Sequence, residues 1–273
     1  MLNQFYDGFS NFIHDAATSR DEDPILVPNT KGQAKSDDWN IMRCLMFTAS
    51  TCKEVIHMQS EEAMKNYLMS HLWKITEVPE TRAMKWGTKN EPIARGEYVK
   101  WKSEKTLTAV AVEETGLLAS RTFPFLGCST DGIVHEPNKP DYLLEIKCPF
   151  TLKDHDPQEF DQLLTSQQLQ RFPFYRNERG VLLMKNNHSW FYEIQMQMDI
   201  CKLTSSEIFI WSPKGHIELM VQYDEEFWAP RRQTLIEKHG GLLVPEYILQ
   251  RVPRNLNPIY FNYSVECLSP DNP

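Results

Sequence analysis

The sequence is short of several things, and each shortage excludes a class. Cysteine is scarce: six in 273 residues, with no Cys-x-x-Cys pair. That is not the density of a disulfide-stapled scaffold, so reduced, mostly buried thiols are expected. The eight histidines show no His-x-x-x-His or mixed Cys/His spacing, which argues against zinc. No glycine-rich phosphate loop occurs, which argues against ATP use. Long apolar runs are missing; one of the longest is Gly241-Leu-Leu-Val-Pro245, far short of the roughly 20 residues a bilayer span needs. The N-terminus, Met1-Leu-Asn-Gln-Phe-Tyr-Asp, has neither the basic n-region nor the apolar h-region of a secretory signal. The expectation is an intracellular protein, in nucleus or cytoplasm, with no membrane partner. Positive charge is also short: 29 Lys+Arg face 37 Asp+Glu, net -8. Taken alone, that argues against a phosphate-rich partner. The charge is uneven, however. Residues 31–105 carry 13 basic and 10 acidic side chains, net +3, and leave the remainder at -11.

What is present is globular composition: 41% apolar, 24% charged and 11% aromatic. The length suits one large domain or two small ones. Residues 1–35 are polar and irregular and read as an N-terminal extension. A domain over 36–250 and a proline-containing tail over 251–273 follow. Trp39–Phe47 reads as helix. Ser60 caps a helix running to about Trp73, with Glu61 and Glu62 suiting its first turn. Thr88–Lys102 reads as a longer helix with Pro92 in the first turn, where a missing N–H costs nothing. The pattern then turns to period 2: Thr106–Val112, Gly116–Ser120, Phe125–Cys128, Gly132–Val134 and Tyr142–Lys147 read as strands. Residues 149–180 read as polar loop over a short helix. Ser189–Leu203 reads as helix, Glu207–Trp211 and Ile217–Gln222 as strands. A last helix spans Asp224–His239, closed by Gly240-Gly241. The class is mixed α/β (α+β), a mixed central sheet flanked by helices.

The informative stretch is Cys128-Ser-Thr-Asp-Gly-Ile-Val followed by Leu143-Leu-Glu-Ile-Lys-Cys-Pro-Phe150. Glu145 and Lys147 stand two apart on a strand, so their side chains leave one face. Asp131 lies one hairpin upstream and can be adjacent in space. Asp, Glu and Lys converging at a strand edge make a hard-cation site with an ammonium beside it. Carboxylates suit Mg²⁺, which needs only one or two of them plus substrate phosphate. A lone Glu-x-Lys is a common surface pair. Here its neighbours are apolar, and an acid and a base on a buried strand are costly without a purpose.

Asp131…Glu145-Ile-Lys147 resembles the Asp…Glu-x-Lys signature of the restriction-endonuclease-like nuclease superfamily. The resemblance narrows to the phage lambda exonuclease / YqaJ viral recombinase family, whose blocks appear in order over residues 38–215. Asp38-Trp-Asn-Ile-Met-Arg43 through Thr48-Ala-Ser50 resembles its Trp…Arg…Thr-Ala-Ser block. Lys85-Trp-Gly through Glu91-Pro-Ile-Ala-Arg95 resembles its Trp-Gly…Glu…Ala-Arg helix. Tyr192-Glu-Ile-Gln195-Met-Gln197 resembles its Tyr-x-x-Gln-x-Gln helix. The resemblance implies metal ligands at Asp131, Glu145, the Ile146 carbonyl and Glu91. It implies that Lys147 positions or activates the attacking water and that Gln195 orients the lysine or the water. Arg43, Ser50, Ser129 and Tyr192 would hold DNA or its 5′-terminal phosphate. The cofactor implied is Mg²⁺, with Mn²⁺ as substitute. The partners implied are linear duplex DNA, a single-strand annealing protein and a second copy of the chain, a trimer in the phage branch.

Each residue also has a plainer reading. Thr88-x-x-Glu91 is equally a capping box. Gln195 and Gln197 suit the surface of a Met-rich helix, although Tyr192, Gln195 and Asp199 share a polar stripe. Arg43 suits a solvated helix face and Ser50 a turn. The insert Thr151–Gly180 departs from the family pattern, and Lys185-Asn-Asn-His188-Ser-Trp-Phe-Tyr192 resembles animal and viral members more than the phage enzyme, so the trimer of the phage branch does not carry over. The activity implied is Mg²⁺-dependent, two-metal hydrolysis of phosphodiester bonds from the ends of linear duplex DNA, 5′→3′, in recombination, repair or viral DNA processing. The alternatives are an endonuclease or RNase on the same scaffold, as in herpesvirus alkaline nucleases, and a non-catalytic DNA-end-binding module.

Overall fold

The period-2 patterning after residue 106 becomes two sheets, and the functional segments lie where they meet. A computed structural model describes residues 24–76 and 79–261. The elements begin with β1 (Ile25–Leu26), α1 (Asp37–Cys44), β2 (Phe47–Thr48), α2 (Cys52–His57), α3 (Glu61–Tyr67) and α4 (Arg82–Thr106). The strands β3 (Ala111–Glu113), β4 (Leu118–Ala119), β5 (Leu126–Cys128), β6 (Gly132–His135) and β7 (Tyr142–Lys147) follow. Then come α5 (Phe160–Leu163), α6 (Ser166–Arg171), β8 (Phe174–Arg176), β9 (Leu182–Met184) and α7 (Ser189–Cys201). The chain continues through β10 (Ser205–Ser212), β11 (Gly215–Gln222), α8 (Glu225–Lys238) and α9 (Val244–Leu249).

The larger sheet has the order β11-β10-β7-β6-β3. It is mixed: β10 runs parallel to β7, while β6–β7, β3–β6 and β10–β11 are antiparallel. The smaller sheet has the order β1-β4-β5-β2, with β2 parallel to β5. β8 and β9 form a separate hairpin.

Strand β7 shows why the sheet sits between helices. Tyr142, Leu144 and Ile146 join a core that includes Ala94 and Tyr98 of α4. Leu143 joins the main core on the opposite face, with Ile194 and Met198 of α7. Both leucines are wholly buried, each contributing about 1.5–3 kcal/mol of apolar transfer. Period 2 therefore commits Glu145 and Lys147 to the α7 side.

Several expectations need correcting. Residues 24–35 are not an irregular extension. Ile25 and Leu26 pair with β4, and Thr30 is buried, its hydroxyl accepting the Leu117 N–H (2.9 Å). The residues before 24 lie outside the described part. Helix α4 starts at Arg82, not Thr88; Thr81 caps it by accepting the Met84 N–H. Pro92 is thus well inside the helix, and Thr88-x-x-Glu91 is not a capping box. The proline is tolerated because it faces solvent, as does Thr88, whose carbonyl it leaves without a helical partner. Burial of Ala94, Tyr98 and Lys102, one turn apart, holds the helix beyond the break. That helix runs on to Thr106, so the strand expected over Thr106–Val112 is only Ala111–Glu113.

The insert 151–180 carries its own apolar pins. Phe160, Phe172 and Phe174 are buried, with the first two rings stacked at 4.9 Å. Gly240-Gly241 does not end the last helix either. The chain passes through a π-turn, His239–Leu243, into α9. Gly241 serves a close approach: a Cβ there would lie 2.1 Å from the Phe261 carbonyl oxygen. The tail as far as Phe261 is therefore docked, its amide donating to Gly241 O.

Candidate active site

The segment Ser129–Asp131 is the crossing from the smaller sheet to the larger one, between β5 and β6. Gly132 is required at the end of that crossing, because a Cβ there would meet Val112 Cγ1 at 2.2 Å. The antiparallel β6–β7 register, Gly132 opposite Leu144, brings Asp131 beside β7. Its Oδ2 accepts the Ile146 N–H at 2.6 Å. Glu145 Oε1 accepts from Lys147 Nζ (2.5 Å), and Glu145 Oε2 accepts from Gln197 Nε2 (2.8 Å). Lys147 Nζ also donates to Glu193 Oε2 (3.1 Å) and lies 5.4 Å from the centre of the Trp190 ring. Glu91 reaches the same cleft from α4, held by Arg95 four residues on (2.9 Å).

Opposite these acids stands a set of donors. Residues 39 and 43 are one turn apart on α1 and share a face. The Arg43 guanidinium lies 4.0 Å over the Trp39 ring and donates to Ser50 Oγ (3.0 Å). The Trp39 indole N–H donates to Ser129 Oγ (2.8 Å). Because β2 runs parallel to β5, the turn after β2 places Ser50 beside Ser129. All of these groups line one cleft of about 230 Å³, together with Gln33, Thr48 and Glu193.

Burial and mutual repulsion of the acids dominate the electrostatics of the cleft. Burial, then the neighbouring Glu91 carboxylate, pushes Asp131 up to about 7. Burial, then Asp131, pushes Glu145 up to about 8. Glu91 is raised by burial as well, against the pull of Arg95. Burial acts to lower Lys147, but Glu145, Glu193 and Asp131 outweigh it and hold the ammonium above the usual lysine range. Burial also lowers Arg43.

Among the described residues, no three His, Cys, Asp or Glu side chains form a ready-made metal cage. The donor set still fits a hard divalent ion. Mg²⁺ takes one or two carboxylates and completes its octahedron with water and phosphate. Asp131 and Glu145 are two buried carboxylates whose charges need compensation, and each oxygen has a second lone pair.

Of the expected site residues, Arg43, Ser50, Glu91, Ser129, Asp131, Glu145, Ile146 and Lys147 all line the cleft. Gln195 and Tyr192 do not. Gln195 is fully buried on the other side of α7, donating to Gln222 O (2.9 Å) and accepting the Asp224 N–H (2.8 Å). Tyr192 packs against His57 and Phe227. The stripe Tyr192–Gln195–Asp199 is real but faces α8, where Asp199 accepts from Trp228 and Arg232. The face toward β7 carries Glu193 and Gln197, one turn apart. Their i, i+4 spacing was the available signal for a pair facing one target.

Residues 38–202 match the model of the YqaJ-like viral recombinase domain. The fold resembles the alkaline exonuclease of Laribacter hongkongensis at TM-score 0.54 and 18% identity, covering 81% of this chain and 96% of that one. A phage-related exonuclease of Haemophilus somnus 129PT is similar at TM-score 0.50 and 11% identity, covering 79% and 99%. The shutoff and exonuclease protein of Kaposi's sarcoma-associated herpesvirus is similar at TM-score 0.50 and 10% identity, covering 88% and 74%. At such identities the likeness speaks for the fold, which is that of restriction-endonuclease-like nucleases. No curated protein matches the sequence.

Proposed function

The chain belongs to the YqaJ-like viral recombinase family, and on that footing we propose that it is a Mg²⁺-dependent exonuclease degrading linear duplex DNA from its 5′ ends. One observation carries the reading. An acidic cluster built on Asp131, Glu145 and Lys147 and a donor cluster built on Arg43, Ser50 and Ser129 line a single cleft. The first suits the scissile phosphodiester and the second a terminal phosphate.

Each group has a physical task in this reading. Arg43 offers phosphate oxygens a planar fork, pre-set by stacking on Trp39. The Ser50 and Ser129 hydroxyls add donors that any phosphate orientation can use. Asp131, Glu145 and the Ile146 carbonyl would hold divalent metal, with Glu91 beside them. Bound there, such metal supplies a lowered pKa for water and compensation for charge developing on the phosphate and leaving oxygen. Lys147 donates from the same strand face and orients the attacking water against the phosphorus. Gln197, not Gln195, keeps Glu145 in its rotamer. Glu193 gives the Lys147 ammonium a second carboxylate to rest on when Glu145 is engaged.

The test uses linear duplex labelled at one 5′ or one 3′ end, and a covalently closed circle. With Mg²⁺ the protein should release mononucleotide from the 5′ end and spare the circle. Cutting of the circle, or linear substrate left intact to the same degree by the protein and its Lys147→Ala form, would overturn the proposal.

A further inference from the structure

Strand β11 is an outer strand of the larger sheet, and part of its edge is bare. The Tyr223 N–H donates inward to Thr204 O (2.9 Å). The carbonyls of His216 and Gln222 instead accept from side chains off the sheet, Gln158 Nε2 and Gln195 Nε2, both at 2.9 Å. In an antiparallel pair the hydrogen-bonding direction alternates along the strand. The even-numbered residues of β11 therefore point their backbone groups away from β10. His216 and Gln222 have their carbonyls taken. Glu218 and Met220, between them, have no backbone partner among the described residues.

Beside this stretch runs a groove of about 530 Å³. Leu219, Met220, Val221 and Gln222 all line it. Successive strand residues face opposite sides of a sheet, so a groove touching all four reaches the strand's edge, and Phe191 of α7 closes it on the α7 side. Its far wall is Leu183 and Met184 of β9, itself an outer strand of its hairpin. Met220 is 39% exposed. The rim is acidic: Asp224, Glu225 and Glu226 line it, and no Lys, Arg or His does. Glu225 is answered by Arg232 and Asp224 caps α8 by accepting the Phe227 N–H, which leaves Glu226 as the acid of this rim with no side-chain partner among the described residues.

We propose that the β11 edge is a docking site for an extended segment of another protein, with basic and apolar residues in alternation, added to the sheet as a further strand. The Glu218 and Met220 backbones would supply its ladder bonds, Leu183, Met184 and Leu219 its apolar floor, and the acids at the start of α8 its charge preference. DNA is disfavoured by the same acids. A second copy of this chain is disfavoured as well. The start of β11 is covered by Pro157–Glu159, through Gln158, so two such edges could align only briefly.

A blocked nine-residue peptide alternating Lys and Val is the probe, with a Glu/Val peptide as control. The Lys/Val peptide should bind the full-length protein saturably and slow hydrogen exchange at the Glu218 and Met220 amides about tenfold or more, leaving those of Ile217 and Leu219 unchanged. Met220→Pro removes an outward N–H only, which an edge strand tolerates. It should abolish that binding while leaving the circular dichroism and the basal activity intact. Should Met220→Pro fail to fold, Glu226→Lys, on an exposed side chain, should weaken binding several-fold. Equal binding of the Glu/Val peptide, binding indifferent to these variants, no binding, or self-association that protects the same amides would each overturn the proposal.

Discussion

Two glutamines two residues apart on α7 should separate scaffold from chemistry when each becomes methionine, which nearly keeps the volume. Gln195→Met deletes an amide that serves Gln222 O and the Asp224 N–H. Losing the partner of a buried polar group costs about 1–3 kcal/mol. Water can reach Gln222, so the pair together should cost about 2–4 kcal/mol. For a domain of this size each kcal/mol is roughly 2–4 °C in Tm, giving a loss of roughly 5–15 °C. Activity per folded molecule should hold. Gln197→Met behaves oppositely. It removes the donor to Glu145 Oε2 (2.8 Å), but also removes Oε1, which is buried without a partner. Stability should move by less than about 1 kcal/mol. Activity should fall roughly 10–100-fold, the usual cost of a group that orients a metal-binding side chain. Thermal melts followed by circular dichroism, and initial rates on end-labelled duplex at saturating Mg²⁺, read both effects. A Gln195 variant that melts normally but is inactive, or a Gln197 variant with full activity, would refute the assignment of the two faces.

Three further outcomes follow from the same geometry. Between about pH 6.5 and pH 8, without divalent metal, stability should fall as pH rises. Asp131 and Glu145 are lifted to about 7 and about 8 in the fold, so the folded chain binds more protons than the unfolded one across that window; below it, His188 and His239, which burial lowers to about 4, offset the two acids. Melts with EDTA and with Mg²⁺ should diverge as pH increases, and Asp131→Asn should flatten the slope; a slope of opposite sign would contradict the burial of these acids. Thr81→Ala should cost about 1 kcal/mol by removing the α4 cap, whereas Thr88→Ala should cost a few tenths at most, and urea titration distinguishes them. Arg43→Lys loses the planar fork stacked on Trp39. It should narrow the rate ratio between 5′-phosphorylated and 5′-hydroxyl duplex about tenfold or more, while an unchanged ratio would remove Arg43 from the terminal phosphate.

The legible parts of this chain were those in which a residue type and a period point the same way. Tyr142–Lys147 has one face apolar and the other carrying Glu and Lys, and the strand ends where that pattern ends. Asp131-Gly was readable because a junction that tight admits only glycine after the acid. A proline in a helical pattern reads as a boundary, which puts the start of α4 at Thr88, six residues after its actual start at Arg82. Solvent on its side of the helix, and buried Tyr98 and Lys102 beyond it, make that boundary passable. The strand at Ile25–Leu26 is only two residues long, too short to show a period, and exists because β4 offers it an edge.

Helix α7 shows the deeper limit. Ten of its thirteen residues are buried, so polarity no longer marks which side meets solvent. Gln195 and Gln197 differ by about 200° around the axis, and each is an amide in an apolar helix that must find partners. Sequence can demand those partners without saying whether they are the backbone of β11 and α8 or the carboxylate of Glu145. That choice is made by rotation of the helix. The rotation is set by packing of Ile194 and Met198 on the side of the large sheet that also carries Leu143. With that face placed against β7, Glu193 and Gln197 are carried to Lys147 and Glu145, and Tyr192 and Gln195 are carried away. The site is thus completed by the apolar residues of α7 as much as by its polar ones.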